Sequence, residues 1–320
     1  MDTENTAVRA RPRGVFIGLS TLDVVHRVKT LPASNMKATA TRQDIAAGGP
    51  ALNAAVTFAA LGGEATLVSY IGDSAAAQVA KEDLHSCRVN LVDLAPPAFT
   101  LPVSSVVVED LSGNRQIVST DATTATDRPA VDVPDHALRD MLDDCDIALF
   151  DGHHHSVALP IAEHLAARTA TPMILDAGRW KPGMRQLIPL MSDVVCSADF
   201  RLGTQYNKDD LLQDLLRTGV RMAAVTNGAA PVRWATDTAT GTVAAEKTEV
   251  VDSLAAGDVF HGAYAFARSA GCRVPDDGLV PAHLSFATHI AALKCAHLGT
   301  RSWLTQLHPA TPPPTRDSKR

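Results

Sequence analysis

A chain of 320 residues can bury the core of one large α/β domain, or of two smaller ones, without disulfide or metal support. Hydrophobic residues at 46% and charged residues at 20% sit near the globular average, which argues against wholesale disorder and against a membrane-embedded fold. With 29 basic and 35 acidic residues, a formal net charge of −6 and no Lys/Arg run, the sequence lacks the positive stripe that neutralises nucleic-acid phosphates. Five cysteines, odd in number and without a C-x-x-C pair, speak against a disulfide framework or a structural zinc site, and reduced thiols are expected. The polar N-terminus carries no apolar segment of signal-peptide length and no apolar run could span a bilayer, so a cytoplasmic protein that does not engage membranes is expected.

Along the chain, residues 1–13 read as a polar tail, followed by a strand-like apolar run at 15–19. Residues 21–47 interrupt the pattern; a helix is then predicted over 50–61, a strand over 65–71 and a helix over 74–87. A second interruption covers 96–123, where 103–109 and 116–120 flank the turn residues Asp110-Leu111-Ser112-Gly113-Asn114. The two interruptions are predicted to form a small antiparallel flap, of the kind that closes over a reacting phosphate or makes a dimer surface. After Asp146 the alternation returns, with strand-like runs at 147–150, 173–175, 194–196 and 222–226 and helical patterns at 157–167 and 211–217. These runs are apolar throughout, so they are buried on both faces. A mostly parallel sheet covered by helices on both sides follows, with ligands at the carboxyl ends of its strands. The proline-rich, charged segment 308–320 reads as a second tail, which leaves 14–310 as a single domain.

Two glycine-containing loops carry the chemistry. Gly48-Gly49-Pro50 precedes the helix at 50–61, which Gly62-Gly63 closes. Glycines without β-carbons let a ligand approach the backbone, and Asn53, one turn into the helix, offers a donor and an acceptor to hydroxyls; a plain tight turn is the other reading. G-x-G-x-x-G is absent and no convincing strand precedes the loop, which argues against a dinucleotide-binding dehydrogenase. The second loop, Asp252-Ser253-Leu254-Ala255-Ala256-Gly257-Asp258, runs into an amphipathic helix at 263–268. Small residues at a helix start leave N–H groups free for an anion. A carboxylate there would be repelled by a phosphate unless it takes a proton from an attacking hydroxyl, so Asp258 is a candidate general base for phosphoryl transfer. Stabilisation of its own helix is the competing role.

Taken together, these motifs resemble those of the PfkB, or ribokinase-like, family of carbohydrate kinases. The first family signature is similar to Gly48-Gly49-Pro50-Ala51-Leu52-Asn53 with Gly62 and Gly72, the second to residues 252–258, and the opening Gly18-Leu19-Ser20-Thr21-Leu22-Asp23 also fits. The resemblance covers roughly residues 14–304. It implies a three-layer α/β sandwich with a mostly parallel central sheet and a small β-sheet lid (21–47 and 96–123), and an ATP- and Mg²⁺-dependent sugar kinase. Asp23, Gly48, Gly49 and Asn53 would then hold sugar hydroxyls, Asp258 would be the base, and the amides of Ala255, Ala256 and Gly257 the anion hole. Thr226 and Gly228 would lie near the nucleotide, and Thr288, Ala291 and Cys295 of a late helix at 286–298 beside the adenine. Ser112-Gly113-Asn114-Arg115 and Lys294-Cys295 look most like ketohexokinases and sulfofructose kinases, with Arg115 reaching the substrate from the lid and a homodimer formed through the lid. Lys37 is a candidate for meeting an anionic group on the substrate, or else a solvated flap residue.

Three departures stand out. Ala255 replaces the usual first glycine of the anion hole, which would forbid backbone angles open only to glycine. The family's N-x-x-E element is not recognisable in Cys196-Ser197-Ala198-Asp199-Phe200, where Asp199 is the one acidic substitute, so the metal ligands stay unassigned. Pro50 stands where some relatives carry a polar sugar contact. Asp151-Gly152-His153-His154-His155 and Asp176-Ala177-Gly178-Arg179-Trp180-Lys181 each follow an apolar strand. The adjacent histidines point apart and read as a polar loop near the cleft rather than a metal site. Arg179 or Lys181 could steady nucleotide phosphates, or be surface charges. A nucleoside kinase of the same fold and a catalytically idle sugar-binding protein are the alternative functions. The aromatic content of 4% leans away from a stacked base.

Overall fold

The chain is seen in a computed structural model that describes residues 11–110, 113, 115–121, 136–202, 211–269 and 278–307. The readings made for 1–10, for the turn residues 111, 112 and 114, for Cys272 and for 308–320 lie outside those residues.

Runs that are apolar on both faces become the inner strands. They are β1 (Arg13–Ile17), β4 (Glu64–Ser69), β8 (Ile147–Phe150), β9 (Met173–Ala177), β10 (Asp193–Ser197) and β11 (Met222–Asn227). β5 (Asn90–Asp93) closes one edge; β12 (Ala230–Thr236) and β13 (Thr240–Val243) close the other. The nine-stranded sheet has the order β13-β12-β11-β10-β9-β8-β1-β4-β5; its strands run the same way except β12, which pairs antiparallel with both β11 and β13.

Helices α1 (Pro50–Ala60), α2 (Ala75–Ser86), α7 (Ala256–Ser269) and α8 (Val280–Cys295) belong to the core on one face. Helices α3 (His136–Asp143), α4 (His155–Arg168), α5 (Met184–Leu187) and α6 (Leu211–Arg217) belong to the core on the other. Every residue of α1 from Ala51 to Phe58 is buried, and Phe58 stacks edge-on between Phe16 and Phe266 at 5.3 and 5.4 Å. A β-carbon on Gly262 would fall 2.4 Å from the Ala54 carbonyl oxygen. Glycine therefore lets α7 approach α1 closely enough for their side chains to meet at the amino-terminal ends.

The remaining strands, β2 (Thr21–Val28), β3 (Arg42–Gly48), β6 (Val103–Glu109) and β7 (Arg115–Val118), form a separate sheet of order β3-β2-β6-β7. It lies within the two predicted interruptions, but it is not wholly antiparallel, since β2 pairs with β6 in parallel. The reason is topological. β2 leaves the central sheet after β1 and β6 leaves it after β5; these two strands run the same way, so the outgoing strands do too. The Gly48-Gly49 turn directly follows β3, contrary to the expectation that no strand precedes it. Among the described residues, no helix is long and apolar enough to cross a membrane.

Candidate active site

β1 is hydrogen-bonded to β4 on one side and β8 on the other, so the chain order reverses there and a crevice opens beyond the strand ends. A cleft of about 370 Å³ occupies this place. Its floor is built from Asp151 after β8, Asp176 of β9, Thr226 of β11, Gly49 and Asn53 at the start of α1, and Ala255 to Asp258 at the start of α7. Asp23, Ser104 and Arg115 of the small sheet form its roof.

The loop into α7 is held by Asp252. Its carboxylate accepts the amides of Leu254 (2.9 Å) and Gly299 (3.0 Å) and pairs with Arg27 (3.2 Å) and Lys294 (3.5 Å). Burial opposes its ionisation, but Lys294, the two amides and Arg27 outweigh burial and keep the carboxyl below its ordinary value. Lys294, fully buried, also donates to the Asp252 carbonyl (3.0 Å). Leu254 packs under Val25, Val106 and Val108, and Ser253 accepts a hydrogen bond from Arg115 (3.2 Å). Ala255 takes φ +60°, a left-handed conformation that costs an alanine about 1–2 kcal/mol. The amide of Ala256 turns back to the Ser253 carbonyl (3.3 Å), whereas those of Ala255 and Gly257 have no acceptor among the described residues.

Asp258, in the first turn of α7, accepts a hydrogen bond from Asn53 Nδ2 at 2.8 Å. Burial pushes its carboxyl up to about 7; neighbouring Asp176 adds to the rise, and the Asn53 bond and His261 oppose it. Asp176 is itself raised by burial, with His261 opposing. His261 Nδ1 lies 2.7 Å from the Gly257 carbonyl and 3.3 Å from Asp176 Oδ2, and its Nε2 lies 3.3 Å from the Val195 carbonyl.

The loop into α1 is tied differently. Asp151 accepts the amides of Leu19 (2.8 Å), Ala51 (3.2 Å) and His153 (2.9 Å), and so occupies the amino end of α1 with a protein carboxylate. Burial works against its charge, but His153, Lys181 and those bonds hold it well below the usual carboxylate range. Gly49 sits at φ +100° with a notional β-carbon 2.3 Å from the Leu19 carbonyl oxygen, and one on Gly48 would strike the Asp23 carboxylate at 2.1 Å. Both glycines are therefore required by close approach. Asp23 is raised by burial, against hydrogen bonds from Thr21 and Ser104 and the charge of Arg301.

Of the residues singled out by sequence, the structure brings together Asp23, Gly49, Asn53, Arg115, Thr226 and residues 255–258, with Gly48 packed beneath Asp23. Lys37, Asp199, Gly228, Thr288, Ala291 and Cys295 do not line this cleft. Lys37 is exposed between β2 and β3, at the opposite end of that hairpin from Gly48. Asp199 is exposed just past β10, where Ser197 faces the cleft instead. Gly228 is exposed in the β11–β12 turn. Thr288 is buried and donates to the Ser285 carbonyl (2.8 Å), and the Cys295 carbonyl receives the amides of Val251 and Asp252. Lys181 is a cleft residue rather than a surface charge: its ammonium donates to the carbonyls of Asp151 (3.2 Å) and Arg179 (3.5 Å), and burial lowers its pKa. The three histidines do diverge, His153 to Asp151, His154 to the ring of Tyr70 and His155 to Gln186. Among the described residues, no cluster of His, Cys, Asp or Glu could hold a metal ion by itself. His261 and Arg301 were not foreseen. His261 looks like any polar residue in a helix, and Arg301 reaches the site from a distant segment.

Solved structures of similar architecture include ribokinase from Giardia lamblia, with a TM-score of 0.78 and 15% identity over 92% of this chain and 96% of that one. Ribokinase from Arabidopsis thaliana, complexed with ribose and ATP, has a TM-score of 0.71 and 19% identity over 92% and 98%. A nucleoside kinase from Burkholderia thailandensis, in complex with inosine, has a TM-score of 0.65 and 16% identity over 95% and 94%. At these identities the likeness shows the fold. The family is shown by the sequence itself, because the model of the pfkB family carbohydrate kinases matches residues 12–306. The chain thus belongs to the PfkB carbohydrate kinases, a family of phosphotransferases.

Proposed function

We propose that this kinase transfers the γ-phosphoryl group of ATP to a hydroxyl of a ketose or related sugar, with Asp258 as general base. The observation that carries the reading is a carboxyl raised to about 7, set in the first turn of α7 beside the amides of Ala255 and Gly257, which have no acceptor among the described residues. A base is most effective when its pKa lies near the working pH, and free amides at a helix start stabilise charge on a transferred phosphoryl group. The acceptor hydroxyl gives its proton to Asp258 as its oxygen attacks phosphorus and ADP leaves. Asp23, Asn53 and the backbone of Gly49 hold the remaining hydroxyls, and Arg115 closes over them from the small sheet. Lys181 and Thr226 lie on the donor side, where the lysine offsets triphosphate charge. Mg²⁺ carried on the triphosphate would supply further neutralisation.

A sugar is favoured over a nucleoside because, among the described residues, no Phe, Tyr or Trp lines the cleft. An idle binding protein is disfavoured because Ala255 takes a left-handed φ, the backbone region a glycine would favour at this turn. The small sheet acts as the lid, and its outer face, with exposed Ile45, Val103 and Val118, is the surface for a homodimer. Work on ATP and a free sugar fits the cytoplasm. Coupled ADP release across ketoses, keto-sugar acids, sulfosugars and nucleosides tests the substrate class. Turnover confined to nucleosides would replace the sugar reading, and calorimetric sugar binding without ADP release on any acceptor would remove the kinase reading.

A further inference from the structure

Arg301 follows α8 and gathers three segments around one guanidinium. Nη1 donates to Asn53 Oδ1 at 3.1 Å, and Nη2 donates to the Ala47 carbonyl at 2.8 Å and to Asp83 Oδ2 at 3.0 Å. Asp83, on α2, also accepts the Ala47 amide at 3.1 Å, so the end of β3 is bound on both its polar groups. The side chains of Arg301 and Asp83 are 20% and 19% exposed, which leaves this pair partly shielded from water.

A guanidinium has donors only, whereas a carboxamide carries one oxygen and one NH₂ that can exchange places by rotation. With Arg301 on one side of Asn53, the oxygen must face the arginine. The NH₂ is left to face Asp258, and it does so at 2.8 Å. The reverse orientation would set NH₂ against guanidinium and oxygen against carboxylate, losing both bonds. We propose that Arg301 is a positioning residue: it fixes the Asn53 amide so that this amide donates to Asp258, and it ties that orientation to the end of β3, where the Gly48-Gly49 turn begins.

The kinetic consequence rests on the reading of Asp258 as the base; the orientation itself does not. Asp23, Asp83 and Cys87 are the titratable groups facing Arg301, and Asp176, Asp23 and His261 are those facing Asp258.

The test is a ¹³C-carboxyl NMR titration of the intact protein, with the Asp258 resonance assigned by its loss in Asp258→Asn. Arg301→Met is expected to raise the Asp258 midpoint by about one pH unit, the size of one hydrogen bond to a charged group. Asn53→Ala should raise it similarly, and the double variant no further than either alone. An unchanged midpoint in Arg301→Met overturns the proposal. So does a shift that adds in full to that of Asn53→Ala, because a charge acting through space does not need the amide. If Arg301→Met melts before the titration range, Arg301→Gln is used, which can still bond Ala47 and Asp83 but frees Asn53 to turn. Its midpoint should match that of Asn53→Ala, and a wild-type value rejects the idea. The readout needs no turnover, so a chain without phosphotransfer would refute the proposed function and leave this result standing.

Discussion

Two helices, α1 and α7, point their amino ends into the same cleft, and the protein has finished one and left the other open. At α1 the Asp151 carboxylate accepts the Ala51 amide and two loop amides, so the positive end of the helix is already neutralised. At α7 the nearest carboxylate, Asp258, takes its hydrogen bond from Asn53 instead, and the amides of Ala255 and Gly257 keep no protein partner among the described residues. The same device, a small-residue turn feeding a helix, therefore serves architecture in one place and, in the proposed reaction, would receive an incoming anion in the other. The carboxyls report the difference, with Asp151 held below its usual range and Asp258 raised to about 7.

Exchanging the two aspartates for uncharged residues should separate these roles. Asp258→Asn is expected to lower kcat by about 10²–10⁴-fold, the range lost with a general base, while calorimetry still shows acceptor binding. Its stability should not fall. A carboxyl with a higher value in the folded than in the unfolded state binds protons preferentially when folded, so it lowers stability as pH rises from 3.8 to about 7. Denaturant melts of Asp258→Asn should lack that decline. Asp151→Ala is the opposite case: removing a buried acceptor of several amides should cost about 3–5 kcal/mol in the same melts. Arg115→Ala breaks the lid contact to Ser253 and should raise the acceptor KM about tenfold with little change in the ATP KM. Ala255→Gly is the smallest test. Relief of the left-handed alanine, about 1–2 kcal/mol, is partly offset by added unfolded-state entropy, and a net gain of up to about 1 kcal/mol is expected.

How much of this could be read in the sequence depended on how local the cause was. Ile147–Phe150 and Val103–Glu109 were legible to the residue because their own composition specifies them. The strands β5, β12 and β13 were missed, since partly exposed strands at or next to a sheet edge lack a continuous apolar run. α7 begins at Ala256 rather than 263, because the glycine in Ala-Gly-Asp reads as a breaker although the anchored Asp252 loop starts the helix earlier. The parallel pairing of β2 with β6 is fixed by strand directions in the other sheet, which no local pattern encodes. At the site, Asn53 and Asp258 were each visible, but not that they touch; that contact depends on Gly262 letting two distant helices close together. Arg301 gave no signal at all, lying 248 positions from the amide it orients.

The central claim, that Asp258 accepts the proton of the acceptor hydroxyl, is tested most directly by the pH dependence of kcat/KM for the best acceptor, which reports groups of the free enzyme. The rate should fall as pH drops through about 7, with the same midpoint as the Asp258 carboxyl in the NMR titration. A profile flat down to pH 5, or a fall whose midpoint differs from that of Asp258, would contradict it.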